Sequence, residues 1–254
     1  MSNYNKLLNN LETLKLDKIR EQVDNYADLI NNGSIDFIDS LYELTSKELE
    51  LREQRAMNAC VKTANFPYIK TFDDFDFSFQ PSINKEKILD FKNLRFIENH
   101  ENILFIGTPG VGKTHLATSI GIESAKNRVC TYFITCEELV LQLKRACIEN
   151  RLENRIKWFN RYKLLIIDEV GFLNLDKEAA NLLFQLLSRR YERLSTIITT
   201  NKNLSSWGEV FGDNVIANAI LDRLVHHSYI INIAGKSYRT KDQIRFIEDS
   251  GSDD

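Results

Sequence analysis

The segment Gly107-Thr108-Pro109-Gly110-Val111-Gly112-Lys113-Thr114 fits G-x-x-x-x-G-K-[ST] at every fixed position, and it constrains everything around it. Asn102-Ile103-Leu104-Phe105-Ile106 before it is a short apolar run, as expected of a buried parallel strand. His115-Leu116-Ala117-Thr118-Ser119-Ile120 after it opens a helical pattern. Strand, glycine-rich turn and helix N-terminus together make an anion cradle, in which backbone N–H groups and the helix dipole face phosphate oxygens. In such a cradle Lys113 reaches the β- and γ-phosphates, and the Thr114 hydroxyl holds Mg²⁺. These eight residues and His115 are the expected contacts of a nucleoside triphosphate.

From about residue 96 onward the chain alternates strands and helices, the signature of a parallel sheet with crossover helices. The strands read as 102–106, 130–135, 163–167, 195–200 and 229–233. The helices read as 113–127, 137–160 with a break near Asn150, 177–193 and 214–226. The first 64 residues read as all-helical. Leu7, Leu8, Leu11, Leu14, Leu16 and Ile19 lie near helical spacing. Asn31-Asn32-Gly33-Ser34 interrupts the pattern with Ser34 as an N-cap, and Phe37, Ile38, Leu41, Tyr42, Leu44 and Leu49 resume it. Glu48-Leu-Glu-Leu-Arg-Glu-Gln-Arg reads as a solvated helix face. The aromatic and acidic run Phe72-Asp-Asp-Phe75-Asp-Phe77-Ser-Phe79 suggests an extended segment, so 65–95 is expected to be a linker wrapping onto the core. The expected domains are therefore 1–64, the linker 65–95, an ATPase domain 96–246 and a disordered acidic tail 247–254.

Composition narrows the function classes. An apolar fraction of 43% supports a large core, and a net charge of −3 confines any nucleic-acid surface to a local patch. The four cysteines, Cys60, Cys130, Cys136 and Cys147, form no C-x-x-C pair, so they are expected as reduced thiols of a cytosolic protein. The N-terminus has no apolar core of a signal peptide, and no run of eighteen apolar residues occurs. A secreted or membrane-spanning protein is not expected.

Leu164-Leu165-Ile166-Ile167-Asp168-Glu169 is an apolar strand ending in two carboxylates. Asp168 is placed to bind Mg²⁺, and Glu169 to polarise the water that attacks the γ-phosphate. Asp168-Glu-Val-Gly171 also fits D-x-x-G, and Asn201-Lys202-Asn203-Leu204 half-fits the guanine-reading N-K-x-D. Leu204 stands where an Asp would accept from guanine and accepts nothing, which favours ATP over GTP. Thr196-Ile-Ile-Thr-Thr-Asn201 ends the strand expected beside that of Asp168, so the Asn201 amide can orient the attacking water; the bland alternative is a strand-ending turn. Arg223, after Asp222, is either a guanidinium supplied to a neighbour's γ-phosphate or an intrachain partner of Asp222 or of a residue at i,i+4 spacing. Adjacent His226 and His227 cannot share one helix face, which argues against a metal there. Between Lys144 and Lys163 seven cations, led by Lys144, Arg145, Arg151 and Arg155, face two acids. They are a candidate for sequence-independent DNA-phosphate contact; Trp158, Phe159 and Tyr162 among them are expected to pack. A smaller basic cluster is Lys236, Arg239, Lys241 and Arg245.

Taken in order, these parts resemble the IstB/DnaC-like AAA+ ATPases over nearly the whole chain. Gly107–Thr114 is similar to their Walker A, Ile166–Glu169 to Walker B, Asn201 to sensor 1, and Arg223 to the arginine finger. The 137–160 insertion resembles the extra helix of the initiator and helicase-loader clade, where it lines a DNA-facing channel. Leu11-x-x-Leu14-x-Leu16-x-x-Ile19, Ala64-Asn-Phe66-Pro67…Lys70-Thr-Phe-Asp-Asp-Phe75 and Gly235-Lys-Ser237-Tyr-Arg239 resemble the IstB branch. The resemblance implies a P-loop NTPase of the ASCE, AAA+ type with a central five-stranded parallel sheet, no C-terminal lid, and a small helical N-terminal domain for oligomer, DNA or partner contact. It implies ATP and Mg²⁺ as cofactors, a homo-oligomer on double-stranded DNA, and an IstA-type transposase as partner. It also implies a bacterial cytoplasmic location, nucleoid-associated when active. Arg239 is a candidate substitute for the missing lid's arginine. The alternatives are a helicase loader and a DNA scaffold using ATP only as an assembly switch, with a small-molecule kinase more distant.

Overall fold

The computed structural model describes residues 2–240. The acidic tail 247–254 and the cations Lys241 and Arg245 lie outside them. The chain divides into two compact units, 1–59 and 60–254.

The first unit holds α1 (Asn3–Thr13), α2 (Asp17–Asn31) and most of α3 (Phe37–Thr63). Its small core is Leu11, Ile19, Tyr26 and Leu44. Leu7, Leu14, Phe37, Ile38, Leu41, Tyr42 and Leu49, which lie near helical spacing, are exposed. Three helices of this length cannot enclose every apolar residue they carry. The cap of α3 is Asp36 rather than Ser34, its carboxylate accepting from the Asp39 N–H at 2.9 Å. Glu48 is 3% exposed, not part of a solvated face. Its carboxylate accepts from the Lys18 N–H at 2.7 Å, because Leu16 at the start of α2 has no side chain that can cap it.

The second unit begins by pairing with the sheet. The Phe133 N–H donates to Ala64 O at 2.8 Å, and Asn65 Nδ2 donates to Phe133 O at 3.0 Å. The 65–95 segment does lie against the core, burying Phe72, Ile83, Ile88, Phe91 and Leu94. It is not extended throughout, however. A 3₁₀ turn forms at Phe72–Asp74, and two short helices follow, α4 (Lys85–Asp90) and α5 (Arg95–Glu98). Asp74 in this run is a cap: it accepts from the Thr71 N–H at 2.7 Å, closing a capping box.

Next come β1 (Asn102–Gly107), α6 (Lys113–Lys126), β2 (Thr131–Thr135), α7 (Cys136–Ile148), α8 (Leu152–Phe159), β3 (Leu164–Val170), α9 (Lys177–Arg190), β4 (Ser195–Thr200), α10 (Trp207–Phe211), α11 (Asn214–Val225) and β5 (Ser228–Ile233). The strands pair in parallel in the order β2-β3-β4-β1-β5. This is the central five-stranded parallel sheet that the resemblance implies. Alternate residues serve opposite faces. Leu104, Leu165, Ile167 and Ile198 enter one apolar layer with α7, α9 and α11. Ile103, Phe105, Ile166 and Ile197 enter the other with α6 and the 72–97 segment. Asn150, at φ +54, separates α7 from α8.

Arg190, at the end of α9, is 1% exposed. Its guanidinium donates to Thr196 Oγ1 at 3.0 Å, Phe159 O at 3.2 Å, Tyr162 O at 3.1 Å and Ser195 O at 2.7 Å. Burial pushes its pKa down to about 9, so it remains a cation at neutral pH, tying α8 and α9 to the start of β4.

Candidate functional site

Because the strands are parallel, everything that follows β1, β3 and β4 emerges at one edge of the sheet. β4 lies between β1 and β3, so the phosphate loop, Asp168-Glu169 and Asn201 converge there. A cavity of about 370 Å³ opens at this edge, lined by Pro109–His115, Glu169, Asn201, Tyr68 and Arg239 among others.

The loop is shaped by its neighbours as well as by its own sequence. Gly110 (φ +84) and Gly112 (φ +100) have left-handed backbones that side chains disfavour. A Cβ on Gly110 would sit 2.0 Å from Ser237 Oγ, one on Gly112 2.5 Å from Phe75 Cε2, and one on Gly107 2.3 Å from Ile233 O. The Tyr238 N–H donates to Gly110 O at 2.9 Å. Lys113 folds over the loop, Nζ donating to Gly107 O at 2.8 Å and to Thr108 O at 2.9 Å. Burial lowers the Lys113 pKa, and the Asp168 carboxylate opposes that shift.

His115 turns toward the preceding segment. Its Nε2 lies 2.8 Å from Thr71 O; a carbonyl only accepts, so Nε2 carries the proton. Burial lowers its pKa first of all, keeping the ring neutral, and the ring meets Phe75 edge-on at 5.2 Å.

Asp168 is 4% exposed. The Thr114 hydroxyl lies 3.0 Å from its Oδ1 and 3.1 Å from its Oδ2. The Thr199 hydroxyl donates to Oδ1 at 2.5 Å. Burial raises the Asp168 pKa against these hydroxyl bonds. Two hydroxyls on a buried carboxylate form a hard-oxygen set suited to Mg²⁺; Thr114 and Asp168 are the residues that would hold it. Glu169 is exposed and sits in a β-irregularity between Ile167 and Val170, with φ +62. Asn201 follows β4, and its Oδ1 is buried with no hydrogen-bond partner among the described residues.

The remaining expected residues lie apart from the cavity. The Arg223 guanidinium donates to Ala219 O at 2.9 Å and stacks 4.8 Å over the Phe184 ring. It forms no ion pair with Asp222 in the described set. The helix-face argument about His226 and His227 does not apply, because α11 ends at Val225; both rings meet Glu192 instead, at 3.7 and 3.6 Å. Of the basic window, Lys144 is taken up by Asp176. Arg155 bonds Gln142 and stacks 4.2 Å over Trp158. Arg151 pairs with Glu149, and Arg145 is exposed on α7. Trp158 and Tyr162 pack with Tyr132, as expected. All four cysteines are free, and burial pushes the Cys136 thiol up to about 12, which makes it inert.

The IstB-like ATP binding protein family model matches residues 9–245. The chain belongs to the IstB family. An ATP-binding protein of insertion sequence IS232 from Bacillus thuringiensis subsp. berliner is 54% identical to this IstB-family chain, covering 95% of it and 96% of the relative. The ATP-binding protein of insertion sequence IS21 from Pseudomonas aeruginosa is 40% identical, covering 92% and 88%. Among solved structures, the DnaC helicase loader is similar at 25% identity and a TM-score of 0.52, covering 68% of the IstB-family chain and 98% of its own. No helix among the described residues is long and apolar enough to cross a membrane.

Sequence reasoning missed two features of the site. Thr199 was read only as part of a strand, although a hydroxyl two residues before Asn201 was the available signal. Tyr68 and the segment preceding β1 were read as a wrapping linker without a place in the cavity.

Proposed function

We propose that this chain is a Mg²⁺-dependent ATPase of an insertion sequence, which assembles on duplex DNA and stimulates its element's transposase. The observation that carries the enzymatic part is the convergence of Lys113, Thr114, Asp168, Glu169 and Asn201 on one sheet edge. The relatives at 54% and 40% identity, both described as ATP-binding proteins of insertion sequences, support the transposition context.

In this reading the loop amides and Lys113 bind the phosphates, while Asp168 and the Thr114 hydroxyl hold the ion. When bound, Mg²⁺ would supply neutralisation of the phosphate charge. Glu169, exposed at the cavity mouth, takes a proton from the attacking water. Asn201 orients that water with its unpartnered Oδ1. Arg223 does not line its own cavity, which supports a role toward a neighbouring subunit's γ-phosphate. Of Lys144, Arg145, Arg151 and Arg155, Arg145 is the one best placed for DNA phosphates, since Asp176, Glu149 and Gln142 engage the other three.

The test is hydrolysis measured with single- and double-stranded DNA of matched length. Stimulation by duplex, lost in Glu169→Gln, is the expected result. Preference for single strands would favour a helicase loader, the reading to which the DnaC likeness points. Assemblies of unchanged lifetime in Glu169→Gln would favour a scaffold in which ATP acts only as a switch.

A further inference from the structure

The paired acids end a strand whose backbone is not free to relax. Glu169 is neither glycine nor asparagine, yet it has φ +62, a conformation that persists only where neighbours impose it. The imposing neighbour is on the adjacent strand. Thr199 in β4 is 1% exposed, and its hydroxyl touches both acids: Oγ1 accepts from the Glu169 N–H at 2.9 Å and lies 2.5 Å from Asp168 Oδ1. The polarity of this pair of bonds is fixed. A backbone N–H can only donate, so the hydroxyl accepts there and its single proton goes to Asp168. One side chain therefore sets the rotation of the first carboxylate and the backbone of the second.

We propose that Thr199 is the positioning residue that makes Asp168 and Glu169 one rigid unit, a role that rests on the ATPase reading above. By holding Oδ1, it fixes the rotation of the carboxylate, whose Oδ1 and Oδ2 lie 3.0 and 3.1 Å from the Thr114 hydroxyl. By holding the Glu169 amide, it fixes where the general base stands. Valine has the shape of threonine but neither the donor nor the acceptor, whereas serine keeps both and loses a methyl group.

The experiment compares Thr199→Val, Thr199→Ala and Thr199→Ser with the wild-type chain and Glu169→Gln. It reads kcat and KM for ATP, and Mn²⁺ affinity of the complex with ATPγS by electron paramagnetic resonance. Val and Ala are expected to lower kcat and Mn²⁺ affinity by about 10- to 100-fold, the range for residues that orient a metal ligand. Their KM for ATP stays within about threefold, because the phosphate loop is untouched, and Ser stays within about threefold in every measure. Wild-type kcat and Mn²⁺ affinity in Val and Ala would overturn the proposal, as would a Ser variant impaired as far as Val. If Val fails to fold, the Ala and Ser pair decides. If the wild-type chain itself does not hydrolyse ATP, the ATPase reading fails, and Mn²⁺ affinity still decides the role of Thr199.

Discussion

The Thr114 hydroxyl lies 3.0 Å from Asp168 Oδ1 although 54 residues separate them in the chain. The contact exists because β4 sets β1 and β3 one strand apart, at a distance that a threonine at a helix start and an aspartate at a strand end can bridge. Burial of Asp168 at this point also opposes its ionised form.

An acid whose pKa is raised by folding is favoured in its neutral form, so ionisation subtracts stability as pH rises through the raised value. Burial raises Asp168 in this way. Asp168→Asn should therefore abolish hydrolysis while stabilising the nucleotide-free protein by about 1 kcal/mol at neutral pH. The gain should shrink as pH falls toward about 4, the ordinary carboxylate range. Urea titrations at the two pH values measure it; a variant less stable than its parent at neutral pH contradicts the expectation.

Arg223 is committed to Ala219 O and the Phe184 ring in its own subunit. Arg223→Ala alone should lower hydrolysis on the order of 10³-fold. Mixing it with Glu169→Gln should restore activity, because an intact Glu169 then meets an intact Arg223 from another copy. Two inactive variants that stay inactive when mixed would argue against Arg223 acting in a neighbouring subunit's site.

Arg145→Ala should weaken DNA binding and reduce the slope of log affinity against log salt by about 0.9. Lys144→Ala should leave that slope unchanged, since Asp176 already holds the ammonium. Fluorescence anisotropy across a salt series tells the two classes apart.

Arg190→Met should cost about 3–5 kcal/mol, because it leaves Thr196 Oγ1 and three backbone carbonyls without their donor. Arg190→Lys should recover little of this, as one ammonium cannot span acceptors that a planar fork reaches together. Equilibrium unfolding in urea, followed on both variants, checks the magnitude.

The sheet was legible in the sequence because its strands are buried on both faces: Leu164–Ile167 and Ile103–Ile106 are continuous apolar runs with no competing helical reading. The phosphate loop was legible because its chemistry fixes the residue types at fixed spacing. Glu48 was not, since a carboxylate that caps a helix thirty residues away looks in sequence like any solvated acid. Asp74 misled for the same reason, its capping role depending on a turn that the Phe and Asp pattern does not announce. Thr199 was hidden because a threonine in a strand is ordinary, and only the register of β3 against β4 gives its hydroxyl two partners.

The phosphate loop is gripped from two directions, by Phe75 from the chain before the sheet and by Ser237 from the chain after it. The glycines at 110 and 112 are thus required twice over, once for phosphate and once for the packing of the protein against itself. Retained glycines are then poor witnesses to retained nucleotide chemistry: a relative that had lost ATP binding but kept this packing would still need both. Lys113 and Thr114, which the packing does not demand, are the positions at which such a loss would become visible.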